Sequence, residues 1–225
     1  MVRIFCKNTG TYKEFLEGTP LLDIAPAFEF DKPYDILAAK VNNVAEGLRF
    51  RVFHNRDVEF LDYRTYIGRS FYSRSLCFLL YKATRDLFPE SRMTIRRPIS
   101  KGYFCSVYKN DGSFLTEEDV EAIGARMREL VSENIPFRRK ELQIAEAIRI
   151  FKESGDLDKV KLLETCGEVY ITCYSLGDVT DYYYDELVPS TGYLKTFGVK
   201  LCHGGILLRV PDRHNPAELA PFYEQ

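Results

Sequence analysis

The first sixty residues carry short apolar runs broken at close intervals, and that spacing constrains the fold more than any other feature of the chain. Residues 2 to 6 and 11 to 15 alternate or run apolar around Asn8-Thr9-Gly10, a hairpin signal. Thr19-Pro20-Leu-Leu-Asp-Ile-Ala25 then puts a capping hydroxyl before a proline at the first helical position, which predicts a short helix. Residues 37 to 42, 48 to 53 and 58 to 61 read as strands. The order β-β-α-β-β-β implies a small sheet wrapped over one helix.

With 225 residues the chain has length for one large or two small domains, each with a core of its own. At 45% hydrophobic and 28% charged it has a globular composition, and no apolar run approaches the roughly 20 residues of a membrane span. The opening Met1-Val-Arg-Ile-Phe-Cys6 has no secretory pattern, so the expected compartment is the cytoplasm, with no membrane partner. Six cysteines lie scattered without a C-x-x-C and read as buried free thiols. Of the histidines His54, His203 and His214, only His203 adjoins a cysteine; strand neighbours point to opposite faces, so Cys202 and His203 form no metal site. A net charge of −2 argues against bulk nucleic-acid binding as the main task.

Further along, Leu76, Leu79, Leu80, Ala83 and Leu87 recur at helical spacing from Ser70 to a stop at Pro89. Residues 102 to 108 read as a strand ended by Asn110-Asp-Gly112. Thr116 caps a helix with an acidic first turn, whose buried face is Val120, Ile123, Met127, Leu130 and Val131. Residues 137 to 142 read as an edge-like strand, 145 to 152 and 159 to 164 as helices, and β segments follow to Val210. The runs Arg96-Arg97 and Arg138-Arg139-Lys140 are either solvated faces or contacts to a nucleic-acid backbone. Asp181-Tyr-Tyr-Tyr-Asp-Glu-Leu-Val-Pro-Ser-Thr-Gly192 crowds tyrosines and carboxylates ahead of a turn, as either an ordinary rim or the lining of a cleft.

Taken from the opening hairpin through Ala39-Lys-Val-Asn-Asn43 to Asp57-Val-Glu-Phe-Leu-Asp62, residues 1–62 resemble a TGS domain, a β-grasp module. Leu115-Thr-Glu-Glu-Asp-Val120, Met127-Arg-Glu-Leu-Val131, Pro136, Glu146-Ala147, Lys159-Val160, Gly177-Asp-Val-Thr-Asp181 and Val188-Pro-Ser-Thr-Gly192 resemble the second additional domain of threonyl-tRNA synthetase, expected over residues 63–225. The resemblance implies an α+β fold in two domains. In that family the second domain removes serine wrongly attached to threonine tRNA. Phrases such as Glu59-Phe-Leu-Asp62, Ser100-Lys-Gly-Tyr-Phe-Cys105 and Asp181-Tyr-Tyr-Tyr184 also look similar to the N-terminal half of bacterial uridine kinase-like proteins. That implies a P-loop kinase domain in cis, with ATP and magnesium belonging to it and no cofactor in this chain. No G-x-x-x-x-G-K-[ST] occurs here, and the chain is expected to be a fragment ending before that domain.

The family's editing cleft uses His-x-x-x-His on the first long helix and Cys-x-x-x-His before Val-Pro-Ser-Thr-Gly. Alignment to these motifs puts Arg74 and Phe78 at the histidine positions, and Tyr183 and Leu187 at the cysteine and second histidine. Leucine and phenylalanine neither relay a proton nor hold a metal, so no catalytic residue and no metal ligand is expected. Lys159 and Asp181 match kept polar positions of the cleft, as a salt bridge fixing the turn or as ligand contacts. The candidate ligand-binding residues are Lys159, Asp181, Tyr183 and Arg74. The expected role is a non-catalytic region that recognises RNA or a small ligand, or regulates a kinase. The alternative is an editing hydrolase using Lys159, Asp181 and a tyrosine hydroxyl, and a third reading is a structural or oligomerising module.

Overall fold

A computed structural model describes residues 1–31, 33–99 and 101–222. Ser100 of the kinase-like phrases and the last three residues of the second expected domain lie outside the described residues. The N-terminal elements are β1 (Val2–Cys6), β2 (Thr11–Phe15), β3 (Thr19–Pro20), α1 (Leu21–Ile24), a 3-10 turn (Ala25–Ala27), β4 (Ala38–Val41), β5 (Val44–Glu46), β6 (Arg51–Val52) and β7 (Arg56–Leu61). One sheet runs β2-β1-β7-β4-β5, with β1 and β7 parallel at its centre, and β3 pairs β6 separately. Ile4, Leu21, Ile24, Phe28 and Val58 are buried between the sheet and α1 as a core of their own.

The helix begins one residue later than the sequence suggested. Pro20 is its cap, without a side-chain hydrogen bond, and the Thr19 hydroxyl donates back to the Leu16 carbonyl at 2.7 Å. Backbone pairing of Thr19 with Val52 and Pro20 with Arg51 holds both residues extended. The expected strand over 48–53 shrinks to Arg51–Val52, because the carbonyls of Leu48 and Phe50 accept from Leu22 and Leu21 at the start of α1. Asn42 and Asn43 both sit at positive φ and close the tight β4–β5 hairpin, a conformation asparagine tolerates.

The larger part holds α2 (Tyr66–Leu87), β8 (Arg92–Ile99), β9 (Gly102–Tyr108), α3 (Glu117–Ser132), β10 (Arg138–Gln143), α4 (Ile144–Glu153), α5 (Leu157–Thr165), β11 (Tyr170–Leu176), β12 (Val179–Tyr182), a 3-10 turn (Thr191–Tyr193), β13 (Gly198–Cys202) and β14 (Gly205–Arg209). Its sheets run β13-β14-β9-β8 and β10-β11-β12, so the whole is a mixed α+β fold. α2 is buried along most of its length, with Leu76, Phe78, Leu79 and Leu80 fully inside. It starts at Tyr66, a turn before the apolar stripe, because Thr65 accepts from Gly68 N at 3.1 Å. A Cβ on Gly68 would lie 2.0 Å from the Asp62 carbonyl oxygen, so the entry to α2 demands glycine. α3 opens as the sequence predicts and completes a capping box, Thr116 with Asp119.

β8, where the sequence offered only the Arg96-Arg97 run, is a full edge strand. Its residues are mostly exposed on both faces, so no alternation betrays it; backbone pairing with β9 makes it, with a register shift between Ile95 and Arg97.

Candidate ligand-binding site

The last turns of α2, the start of α5, β12 and the first half of β8 surround a cavity of about 270 Å³. Lys159 sits in the first turn of α5, where the helix dipole opposes a cation, so its ammonium needs carboxylate partners. Asp181 on β12 lies 2.8 Å from Lys159 Nζ, and Asp156, just before α5, lies 3.5 Å away. The Tyr81 ring centroid is 4.5 Å from the same nitrogen and that of Phe151 5.2 Å. The ammonium is buried and makes no well-aligned hydrogen bond. The network continues through the Tyr81 hydroxyl, which donates to Asp156 Oδ2 at 2.8 Å, and the Ser154 hydroxyl at 2.9 Å from the same oxygen.

Burial pushes the Asp181 carboxyl above the usual carboxylate range, and it outweighs the opposing pull of Lys159. Burial likewise raises the Tyr81 and Tyr183 hydroxyls and the Cys77 thiol. No tyrosine or cysteine facing the cavity is therefore ionised near neutral pH. Lys159 and Asp181 thus set one fixed cation and one carboxyl group in the wall of the cavity.

The positions that align with the family's histidines and cysteine have other uses here. Phe78 is fully buried, its ring centroid 5.8 Å from Phe137 and 5.4 Å from Tyr183. Tyr183 also meets Tyr174 edge-on at 6.1 Å, and Leu187 belongs to the same core. Arg74 turns to the loop after β12, donating to the Glu186 carbonyl at 2.9 Å and to Asp185 Oδ2 at 2.7 Å. Lys159, Asp181 and Tyr183 thus line one cavity, whereas Arg74 clamps its neighbouring loop. Asp156, Tyr81 and Arg92 to Ile95 also line the wall and were not singled out from sequence. The Gly155-Asp156 step before α5 was the available sign, since such a step commonly leads into a helix start.

The crowded stretch from Asp181 divides by role. Asp181 and Tyr183 face the cleft, Tyr182 between them packs edge-on against Phe151 on the other face, and 187 to 191 are scaffold: Val188 N donates to Ser75 Oγ at 2.9 Å and Ile135 N to Thr191 Oγ1 at 2.8 Å. Arg49 of the N-terminal part reaches the Pro189 carbonyl at 2.7 Å, tying the two parts together. Among the described residues no group of three or more His, Cys, Asp or Glu is placed to hold a metal ion, and no helix is long and apolar enough to cross a membrane.

Against curated proteins the chain is similar to threonine–tRNA ligases. That of Desulforamulus reducens is 31% identical over 197 residues, covering 87% of this chain and 31% of the ligase. That of Syntrophomonas wolfei is 30% identical over 200 residues, 88% of this chain and 31% of the ligase. That of Laribacter hongkongensis is 32% identical over 191 residues, 84% of this chain and 30% of the ligase. Threonine–tRNA ligases are homologues of this chain. It spans about a third of the length of the curated relatives it matches. No family model matches it.

Proposed function

We propose that this region recognises the aminoacyl end of threonine tRNA in the cavity between α2, α5 and β12, and that it does so without hydrolysing the ester. One observation carries the reading: Lys159 and Asp181 are paired over a cavity, while Phe78 and Leu187 are packed core and Tyr183 leans on that core at the cavity wall, where the family's motif has reactive side chains. The ligase relatives supply the substrate class. Residues 1–62 and 63–225 act in this reading as two domains, the first positioning the second through Arg49 and the Lys195–Asp35 ion pair.

The test is thermal unfolding with a non-hydrolysable seryl- or threonyl-adenosine analogue. At 100 times its dissociation constant the analogue adds about 2.7 kcal/mol, and Asp181→Ala abolishes the effect. An unfolding transition that no such analogue moves overturns the proposal.

A second reading, hydrolytic editing, is favoured by the raised Asp181 carboxyl beside Lys159, since a base tuned toward neutrality is a mark of proton-transfer sites. The finer reading of a uridine kinase-like parent, with ATP and magnesium in a domain in cis, draws no support from these ligase relatives. Reading the gene beyond codon 225 for a P-loop tests it.

A further inference from the structure

A second cavity, of about 490 Å³, opens at the other end of α2. Its wall comes from separate elements: Tyr66 and Arg69 on the first turn of α2, Lys101 and Tyr103 at the entry to β9, and Arg213 beyond β14. Among the described residues no carboxylate lines it, in a chain whose net charge is −2. Tyr66 is 79% exposed, a large ring left in solvent beside these cations. Arg96 and Arg97 are exposed on β8 just before Pro98, which itself lines the cavity. Exposed rings among cations suit a strand that presents both bases and phosphates: a ring gives each base a face to stack on, and a cation offsets each phosphate.

We propose that this groove binds a single-stranded RNA segment, with Lys101 and Arg213 on phosphates and Tyr66 stacked on a base, while Arg69, whose guanidinium donates to the Arg64 carbonyl at 2.6 Å, forms part of the wall. The inference rests on the tRNA reading for its partner and not for its geometry. Tyr66, Ser70, Ser73, Cys77 and Tyr81 recur at three and four along α2, so the groove and the Lys159 cavity open from one face of one helix. Tyr66 and Cys77 stand roughly 16 Å apart along the axis. β8 borders both, with Pro98 at the groove and Arg92 to Ile95 at the cavity. The two openings therefore lie on one side of α2, and a strand held in the groove would run toward the Lys159 cavity.

The experiment measures binding of a fluorescein-labelled ten-nucleotide single-stranded RNA of mixed sequence by the whole chain, between 50 and 200 mM salt. Each phosphate contact adds about 0.7 to the steepness of log K against log salt. Arg213→Ala and Lys101→Ala are each expected to lower the slope by about that amount, and Tyr66→Ala to weaken binding about tenfold at every salt concentration. These side chains are exposed, so circular dichroism of the variants is expected to match the parent. Binding with an unchanged slope in the charge variants, or no binding of the single strand, overturns the inference. If the single strand behaves as stated while the aminoacyl-adenosine analogue leaves unfolding unmoved, the cleft reading falls and the groove stands. The reverse pair of results removes the groove alone.

Discussion

Placing a histidine at position 78 is expected to damage the fold rather than restore a reactive site. Phe78 has no exposed surface, and its neighbours are the rings of Phe137 and Tyr183. Phe78→His removes apolar burial worth about 1.5–3 kcal/mol and leaves at least one ring nitrogen desolvated, at about 1–3 kcal/mol. The two effects together predict a loss of about 2.5–6 kcal/mol, which brackets the roughly 3–5 kcal/mol of a buried Phe→Ala change. Urea unfolding measures it as a lower midpoint at constant slope. Arg74→His is the contrast. The Arg74 side chain is 21% exposed and its partner Asp185 66% exposed, so losing that pair is expected to cost under about 1 kcal/mol. A Phe78→His protein within about 0.5 kcal/mol of the parent would refute the reasoning, because it would mean position 78 faces an accessible slot.

Other outcomes follow from the same contacts. Asp181→Asn leaves the buried Lys159 ammonium with Asp156 at 3.5 Å as its nearest carboxylate, and is expected to lose about 2–3 kcal/mol by urea unfolding; adding Lys159→Met recovers most of it. Burial raises the Cys173 thiol to about 11 and the Cys105 thiol to about 12, so at pH 8 a thiol reagent followed by mass spectrometry is expected to label half-buried Cys166 and Cys202 first. The unfolded chain sheds those protons near about 8.5 while the fold keeps them, so stability is expected to fall as pH rises from about 8.5 through the raised values. Arg49→Ala removes the 2.7 Å bond to the Pro189 carbonyl and is expected to cost about 1–2 kcal/mol, with faster hydrogen exchange at the Val188 and Thr191 amides.

Elements with a strong local signature were legible in the sequence. The Thr116 cap, the β1–β2 hairpin and the apolar stripe of α2 each follow from a few neighbouring residues, and the structure keeps them. β8 was not legible, because an edge strand exposed on both faces owes its existence to the backbone of β9 and not to its own side chains. Thr19 misled for a related reason: β6 captures it as a strand partner, a tertiary bond that overrides a good capping residue. At the site, the pairing of Lys159 with Asp181 could be expected from the family's motif. The part of Tyr81 could not, since its hydroxyl bonds to Asp156, 75 positions away.

The most direct test of recognition without chemistry uses threonine tRNA carrying serine, incubated with excess protein while ester loss and bound fraction are followed together. The expected result is a bound complex whose ester decays at the rate of free seryl-tRNA, with binding lost in Asp181→Ala. Turnover of many esters per protein molecule, abolished by Asp181→Asn, would contradict it and make the cavity an editing site.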